Sequence, residues 1–525
     1  MFSYFRVDDF TAIRLIKTTY PAFNIDNLLL ILKAPFYEYY RPTGLVIWWI
    51  GYLLGGVNPT VYHIITSILF GLICVNIYFI GRYQSTELSG WLASLCFMTF
   101  APIVVVSWWI SNFGFGFGGM LFYTYGVLAF LYLSRSPRLL IVVSLLCFLW
   151  AFFAKYSFVF LAPLPLVLYI FNIHLRTRRH LVVSVGTILL SGVSVLISRL
   201  KLGEIGKNSH VHLNIFDIPP EMIVQNLSDY WSLLVYGHSP FLVITGLIYG
   251  AHNIQNNAIR IFSLPVVFVL IALMLQWPPG ILILALLALC ITAKTSDWQA
   301  RAWGYWIVAG LAQTMFWDVR IIGGLLNRFI LESSVGFALL LGHGLTGHMR
   351  ILAHQITIRK KSIIRSWFSR HSIFPAYLCL IILGTSYHLK SYIYPSFLRD
   401  LTSTYNTSYV IRDVLANVDL ILPREARLIV ENQLVDGIEH YTQLNDALED
   451  INRGDINTVF HDRVNLPAVM QNMIANYSSV YLLLNDTFLP IESEHYRLSS
   501  AFSVEYGNHG AWIYQVQHST SVDPK

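Results

Sequence analysis

Apolar residues come in long runs along this chain, and the connections between them are short and polar. The runs fall at about Pro59–Ile80, Trp91–Ile110, Gly118–Leu133, Leu139–Phe153, Tyr156–Phe171, Leu181–Ile197, Pro240–Tyr249, Ile261–Leu275, Ile281–Ile291, Trp303–Phe316, Phe329–Leu345 and Ile373–Tyr387. A helix needs about 20 apolar residues to cross a hydrocarbon core of about 30 Å. The pattern therefore predicts a polytopic α-helical membrane protein with about twelve spans, several of them short. Residues 1–57, ahead of the first run, are mixed polar and aromatic. Within them Pro42–Leu54 is apolar and carries Trp48 and Trp49. It is short for a span, so the expectation is a helix lying along the membrane interface, where tryptophan is favoured. A short, tilted span is the alternative.

Two charges interrupt the apolar pattern. Lys155 divides a stretch from Leu139 to Phe171. A single helix over that stretch would be about 50 Å long, and a charge at mid-bilayer costs at least about 2.5 kcal/mol. A tight hairpin with Lys155 at its outer tip is the expectation. Glu332 lies four residues after Arg328, so the two share a helix face and can pair. That pair serves equally as a structural clamp at a helix mouth or as part of a site.

From about Pro395 the pattern changes. Strand-like runs appear at Ala426–Val430, Thr458–Phe460, Val480–Leu484, Phe502–Val504 and Ala511–Val516. Helical patterns lie near Ser396–Val418, Gly437–Ile451 and Leu466–Tyr477. The alternation predicts a small α/β domain. The chain thus divides into a first loop at residues 1–57, a membrane domain at 58–390 and a C-terminal α/β domain at 391–525.

Composition agrees with a membrane reading. The chain is 55% hydrophobic and 12% charged, against about 25% charged in ordinary soluble proteins. Its charge is unevenly placed. Pro395–Lys525 holds 17 Asp and Glu against 8 Lys and Arg, whereas Met1–Tyr394 holds 12 against 27. A basic membrane part with an acidic tail argues against a nucleic-acid partner. The five cysteines all fall in apolar runs and show no metal-ligand spacing, so they read as packing residues.

The positive-inside rule orients the spans. With the first segment outside, the inner connections carry Arg82, Arg135, Arg138, Arg176, Arg178, Arg179, Arg260, Lys294, Arg301 and a cluster from Arg350 to Arg370. Only Glu87 and Asp297 oppose them. The outer loops mix signs. Both termini then lie on the extracytoplasmic side of a multi-pass protein of the cell membrane, or of the endoplasmic reticulum in a eukaryote.

The candidate chemistry starts at Asp8 and Asp9. In an extended or turn segment adjacent side chains diverge, so one carboxylate can face a site while its neighbour is held. Paired carboxylates suit a general base with an orienting group or a metal ligand. Cationic or polar candidates on the outer side are Arg41, Lys155, Arg320, Arg328 and His238, with Glu332 and His63 as supporting groups. His210 and His212 flank one residue, but no third ligand lies near them in sequence.

The order of these pieces resembles the polytopic glycosyltransferases of the GT-C fold, the protein O-mannosyltransferases and their bacterial relatives. The resemblance rests on Asp8-Asp9, then Tyr40-Arg41-Pro42, then Gly55-Gly56-Val57-Asn58-Pro59-Thr60-Val61-Tyr62-His63 entering a span. Phe152-Phe153-Ala154-Lys155-Tyr156 followed by Pro163, and Asn327-Arg328-Phe329-Ile330-Leu331, match two further segments. Tyr156 stands where the family has an acid, and Glu332 where it usually has proline. Family members carry one more helix before the acidic loop, so the resemblance implies a preceding helix and about thirteen spans. It also implies the activity, which is transfer of a sugar from a polyprenyl-phosphate donor to a glycan, lipid or protein acceptor, with inversion, outside the cytoplasm. Asp8 or Asp9 would be the general base, Asp8 slightly preferred. Arg328 foremost, with Lys155, Arg41, Arg320 and His238, would hold the donor phosphate. The resemblance leaves the divalent metal requirement, the sugar and the acceptor open. A transporter or flippase, and a glycan polymerase or ligase of the cell envelope, are the competing readings. Against a transporter, the charges gather at one membrane face and no inverted repeat is visible.

Overall fold

The computed structural model describes residues 7–33, 40–84, 86–100, 113–133, 137–202, 298–312, 330–358, 420–431, 455–461, 465–484, 496–506 and 509–518, with a few isolated positions besides. The expected spans at Pro240–Tyr249, Ile261–Leu275, Ile281–Ile291 and Ile373–Tyr387 lie outside these residues. The described part is mostly helical.

The chain opens with α1 (Val7–Thr19), α2 (Ile25–Lys33) and α3 (Pro42–Gly55). The interfacial helix expected over Pro42–Leu54 forms, but it is not laid on a surface. Trp48, Trp49 and Leu45 are buried, and α3 packs against α1, α2 and the bundle. A helix apolar on every side has no polar face to turn to water and is buried on most of its faces. The outward apolar side belongs instead to α2. Ile25, Leu29, Leu30 and Leu32 are exposed there, while Asn27 and Ile31 face inward.

The Gly-Gly…Asn-Pro…Tyr stretch is a helix-to-helix turn. Gly56 ends α3 at φ +53°, a conformation glycine adopts without strain, and its N–H donates to Tyr52 O. Asn58 Oδ1 then accepts from the Thr60 N–H at 3.0 Å, and Pro59 starts α4 (Pro59–Gln84). The Tyr62 hydroxyl reaches back to Gly56 O at 2.8 Å. At the other end of α4, Thr86 caps α5 (Glu87–Met98), and Arg82 pairs with Glu87 at 2.9 Å.

A π-helical turn, Phe113–Phe117, leads into α6 (Gly118–Leu131), followed by α7 (Pro137–Ala154). The chain breaks at Lys155, as its charge led us to expect. A 3-10 turn, Tyr156–Leu161, and α8 (Leu164–Phe171) follow, then α9 (Arg178–Leu202), α10 (Trp298–Ala312) and α11 (Leu331–Ile358). Among the described residues, Pro59–Tyr83, Phe113–Leu131 and Arg178–Lys201 are long and apolar enough to cross a membrane.

The sidedness of α9 identifies its solvent. Val182, Val185, Leu189, Val193, Leu196 and Leu200 point outward, whereas Ser184, Thr187, Ser191 and Ser194 are buried. Water would reverse that choice, and lipid permits it. The inward hydroxyls satisfy themselves on their own helix, as Ser184 does on His180 O and Thr187 on Val183 O, both at 2.8 Å.

All five strand-like runs in the tail become strands: β1 (Arg427–Glu431), β2 (Asn457–His461), β3 (Val480–Leu484), β4 (Tyr496–Tyr506) and β5 (His509–His518). They form one sheet in the order β2-β1-β3-β5-β4. β1 is parallel to β2 and β3, and β5 is antiparallel to β3 and β4. α12 (Leu466–Asn476) lies in the chain between β2 and β3. The other two helical patterns expected in the tail lie largely or wholly outside the described residues.

Alternation along the strands gives the sheet two apolar faces. Ile429, Val480, Leu482, Leu484 and Tyr514 pack on Leu466, Met470 and Ile474 of α12. Leu428, Tyr481, Leu483 and Ile513 belong to a cluster with Ala12, Ile13 and Ile16 of α1 and with Leu45, Trp48 and Trp49 of α3. The tail sheet and the first segment therefore share a hydrophobic core. The bundle has its own core, centred on Trp303, Trp306, Tyr123, Phe97, Phe148 and Phe158.

Candidate functional site

Asp8 and Asp9 lie in the first turn of α1 and not in the extended or turn segment expected of them. One turn later Ala12 and Ile13 are buried in the core shared by α1, α3 and the sheet. The acidic pair is thus carried by an anchored helix.

The first segment runs on to Tyr40-Arg41, at the start of α3. Trp49 Nε1 donates to Tyr20 O at 2.9 Å, and Phe23 stacks on Trp49 with centroids 5.4 Å apart. These contacts fix the first segment against α3. The Tyr40 hydroxyl donates to Leu32 O, and the Tyr40 N–H donates to the Tyr156 hydroxyl at 3.1 Å. Burial raises the Tyr40 phenol above its ordinary pKa, with Tyr156 adding to the effect. The Arg41 guanidinium lies 5.6 Å from the Phe115 ring centre and 6.0 Å from that of Tyr156. Both contacts are of cation–π range.

Lys155 is not a solvated hairpin tip. It is 7% exposed, with its backbone extended between α7 and the 3-10 turn. Its Nζ donates to Glu332 Oε1 at 2.7 Å, and the Ser157 hydroxyl donates to the same oxygen. Glu332 has no exposed surface. Lys155 and Ser157 are thus two partners of this carboxylate, and the pairing with Arg328 expected from the spacing is not tested. Arg328, Arg320 and His238 lie outside the described residues. His63 is buried in α4, where its carbonyl accepts from Ser67.

The irregular backbone around Lys155 is satisfied by neighbouring helices. The Tyr123 hydroxyl of α6 donates to Leu161 O at 2.7 Å, and the Tyr305 hydroxyl of α10 donates to Phe160 O at 3.3 Å. Without water, non-helical carbonyls at membrane depth need such donors. On the other side, Trp306 Nε1 donates to Glu332 O at 2.9 Å. Gly310 lets α10 approach so closely that a Cβ there would lie 2.6 Å from Ser333 N.

Three stretches far apart in sequence therefore meet: Tyr40-Arg41, Lys155-Tyr156-Ser157 and Glu332. The missed contact is Lys155 to Glu332. Its signal was present, since the two are opposite charges set in apolar runs, and such groups at depth are almost always partnered. Chemically, the place offers two cationic side chains beside an aromatic platform, with one carboxylate already engaged. Among the described residues, no three His, Cys, Asp or Glu side chains gather as a metal site.

No family model matches the chain, and no curated protein sequence does. Among solved structures, the chain is similar to ArnT from Cupriavidus metallidurans bound to undecaprenyl phosphate. The identity is 12% and the TM-score 0.48, over 100% of this chain and 96% of that one. The apo state of the same protein gives 11% and 0.43 over the same shares. The archaeal oligosaccharyltransferase AglB from Archaeoglobus fulgidus, in complex with an inhibitory peptide and a dolichol-phosphate, gives 12% and 0.39 over 74% of this chain and 52% of that one. All three TM-scores lie below 0.5, so the assignment of chemistry to residues rests on the geometry above.

Proposed function

We propose that this chain is a membrane glycosyltransferase that moves a sugar from a polyprenyl-phosphate donor to an acceptor on the extracytoplasmic side. The observation that carries the reading is the meeting of Tyr40-Arg41, Lys155-Tyr156 and Glu332. The first two belong to segments on which the resemblance to GT-C glycosyltransferases rests, and Glu332 directly follows a third, at the position where the family usually has proline. A chance likeness of short motifs would leave them scattered through the bundle.

The mechanism follows from the residue types. Asp8 or Asp9 takes the proton of the acceptor hydroxyl or amine as its oxygen or nitrogen bonds to the anomeric carbon. The bond from that carbon to the phosphate oxygen breaks, and polyprenyl phosphate leaves with the electron pair. Attack from the opposite face inverts the centre. Charge develops on the leaving phosphate, where fixed cations stabilise it most. Arg41 and Lys155 fit that part, joined by Arg328, Arg320 and His238 as further candidates. Arg41 offers a planar fork able to hold two phosphate oxygens. The shared core of α1 and the sheet supports a common side for the acidic pair and the tail domain, because a sheet with polar edges cannot lie in lipid.

The test incubates membranes with a radiolabelled polyprenyl-phosphate sugar and compares wild type with Asp8→Asn and Asp9→Asn. One of the two should lose about 10²–10⁴ in transfer rate. If neither substitution alters transfer, the catalytic reading fails. Sugar-lipid movement into vesicles without glycan formation would make the chain a transporter.

A further inference from the structure

The outward side of α2 is apolar. Phe23, just ahead of the helix, is 80% exposed and Ile25 is 73% exposed, with Leu29 and Leu32 exposed beyond them. Ile25, Leu29 and Leu32 stand at i, i+4 and i+7, so they form one stripe along the helix. The opposite side is fixed to the protein. Asn24 Oδ1 caps α2 by accepting from the Asn27 N–H at 2.7 Å, and the buried Asn27 amide donates to Ala22 O at 2.7 Å. Ile31, one turn later, has no exposed surface. Asp26 and Lys33, seven residues apart, are exposed beside the stripe, and Leu30 lies beyond them. α2 therefore has a side against protein, a charged side and an exposed apolar side. Contiguous apolar surface with a polar rim marks a membrane or protein contact.

The stripe adjoins the outward face of a span. Phe23 stacks on Trp49 of α3, and from the next residue an exposed apolar line runs through Ile50, Leu54 and Val57. It continues as Ile64, Ile68 and Val75 on α4, which is long and apolar enough to cross a membrane.

We propose that α2, with Phe23, is embedded in the bilayer leaflet beside the first segment. Ile25, Leu29 and Leu32 lie among the acyl chains, and Asp26 and Lys33 lie at the headgroups. An amphipathic helix with large apolar side chains on one face and charges at its margin takes this position. The embedding sets a depth for the rest of the segment. The Tyr40 hydroxyl donates to Leu32 O, so the C-terminal end of α2 is tied to Tyr40-Arg41. Arg41 is then held near headgroup level, where the phosphate of a lipid-linked donor lies. That consequence rests on the function proposed above, whereas the embedding of α2 does not.

The test places the full wild-type chain in nanodiscs of phosphatidylcholine carrying a diazirine on the upper part of its acyl chains. Adducts formed on illumination are mapped by peptide mass spectrometry. Ile64 and Ile68 report lipid contact on α4. Adducts on Phe23, Ile25, Leu29 and Leu32 should match theirs, and the buried Asn27 and Ile31 should carry none. A double variant, Ile25→Asp with Leu29→Asp, should lose the adducts on Phe23 and Leu32. It should keep those on Ile64 and Ile68, which shows that the bundle has folded. An α2 without adducts beside a labelled α4 overturns the embedding, whether water or a second copy covers the stripe. Adducts on Phe23 and Leu32 that survive the double substitution overturn the role of the stripe. Absence of adducts from both helices overturns the span and the embedding together. A labelled α2 in a chain that transfers no sugar from a polyprenyl phosphate supports the embedding and removes only its consequence for Arg41.

Discussion

The buried ion pair makes a quantitative prediction about stability, separate from catalysis. Lys155 Nζ and Glu332 Oε1 are 2.7 Å apart, with side chains 9% and 0% exposed. At an effective dielectric of about 20, that separation corresponds to about 6 kcal/mol of attraction. Desolvation of the two groups takes back most of it, so the intact pair contributes little net stability. Removing one partner is different, because the other charge stays buried. Lys155→Met and Glu332→Gln should each destabilise by about 3–5 kcal/mol. The double variant removes both charges of the pair, and the new amide oxygen still accepts from Ser157, so its loss should be smaller than the sum of the single losses. Denaturant unfolding of the four proteins in bicelles, read by tryptophan fluorescence, completes the double-mutant cycle. A coupling energy of several kcal/mol is expected. Losses that simply add would refute the pairing and the packing argument built on it.

Other predictions test the supports of the site. Gly310→Ala places a Cβ 2.6 Å from the Ser333 backbone nitrogen. Backbone cannot swing aside, so α10 and α11 must part, and the same unfolding assay should show a loss of about 1–3 kcal/mol. Gly56→Ala meets nothing within 4 Å, and its only cost is the positive φ. It should cost about 1 kcal/mol and leave activity unchanged. Leu483→Ala opens a cavity where the sheet joins the cluster shared with α1. It should destabilise by about 2–5 kcal/mol, and hydrogen exchange should rise in α1 as well as in β3; exchange confined to β3 would separate the two elements.

The sequence patterns that survived are those whose signal is local. The five strands were legible because Ile429, Leu482 and Val516 alternate with residues of the opposite face, and Gly-Asn-Pro punctuation marked the turn from α3 to α4. The phase of α3 was not legible. A helix without polar positions carries no moment, so Pro42–Gly55 reads the same buried in a bundle or lying at an interface. The contact of Glu332 with Lys155 was signalled by charge but not by spacing, and Arg328 itself lies outside the described residues. Sequence spacing ranks Arg328 first because it is one turn away. Lys155, 177 residues away, becomes a neighbour only through the packing of α10 against both the 3-10 turn and α11. The backbone of Asp8 and Asp9 was misjudged because Val7–Thr19 has a weak helical pattern of its own. Its helix is held by tertiary burial of Ala12, Ile13 and Ile16.

The placement of the polar groups follows from the solvent. Apolar helices such as α9 satisfy every backbone group internally and can present nothing but side chains to a substrate. Charge and open backbone can exist only where a helix stops and its neighbours replace water. The break at Lys155 meets that condition through the hydroxyls of Tyr123 and Tyr305, and Glu332 meets it through Ser157 and Lys155. The acidic pair lies at the start of a helix whose apolar residues share a core with a sheet, and the other face of that sheet has its own helix. The tail is therefore part of what holds Asp8 and Asp9 in place. A sheet with only one apolar face would have been a separate module. This one buries both, and the second face closes on the helix that carries the candidate base.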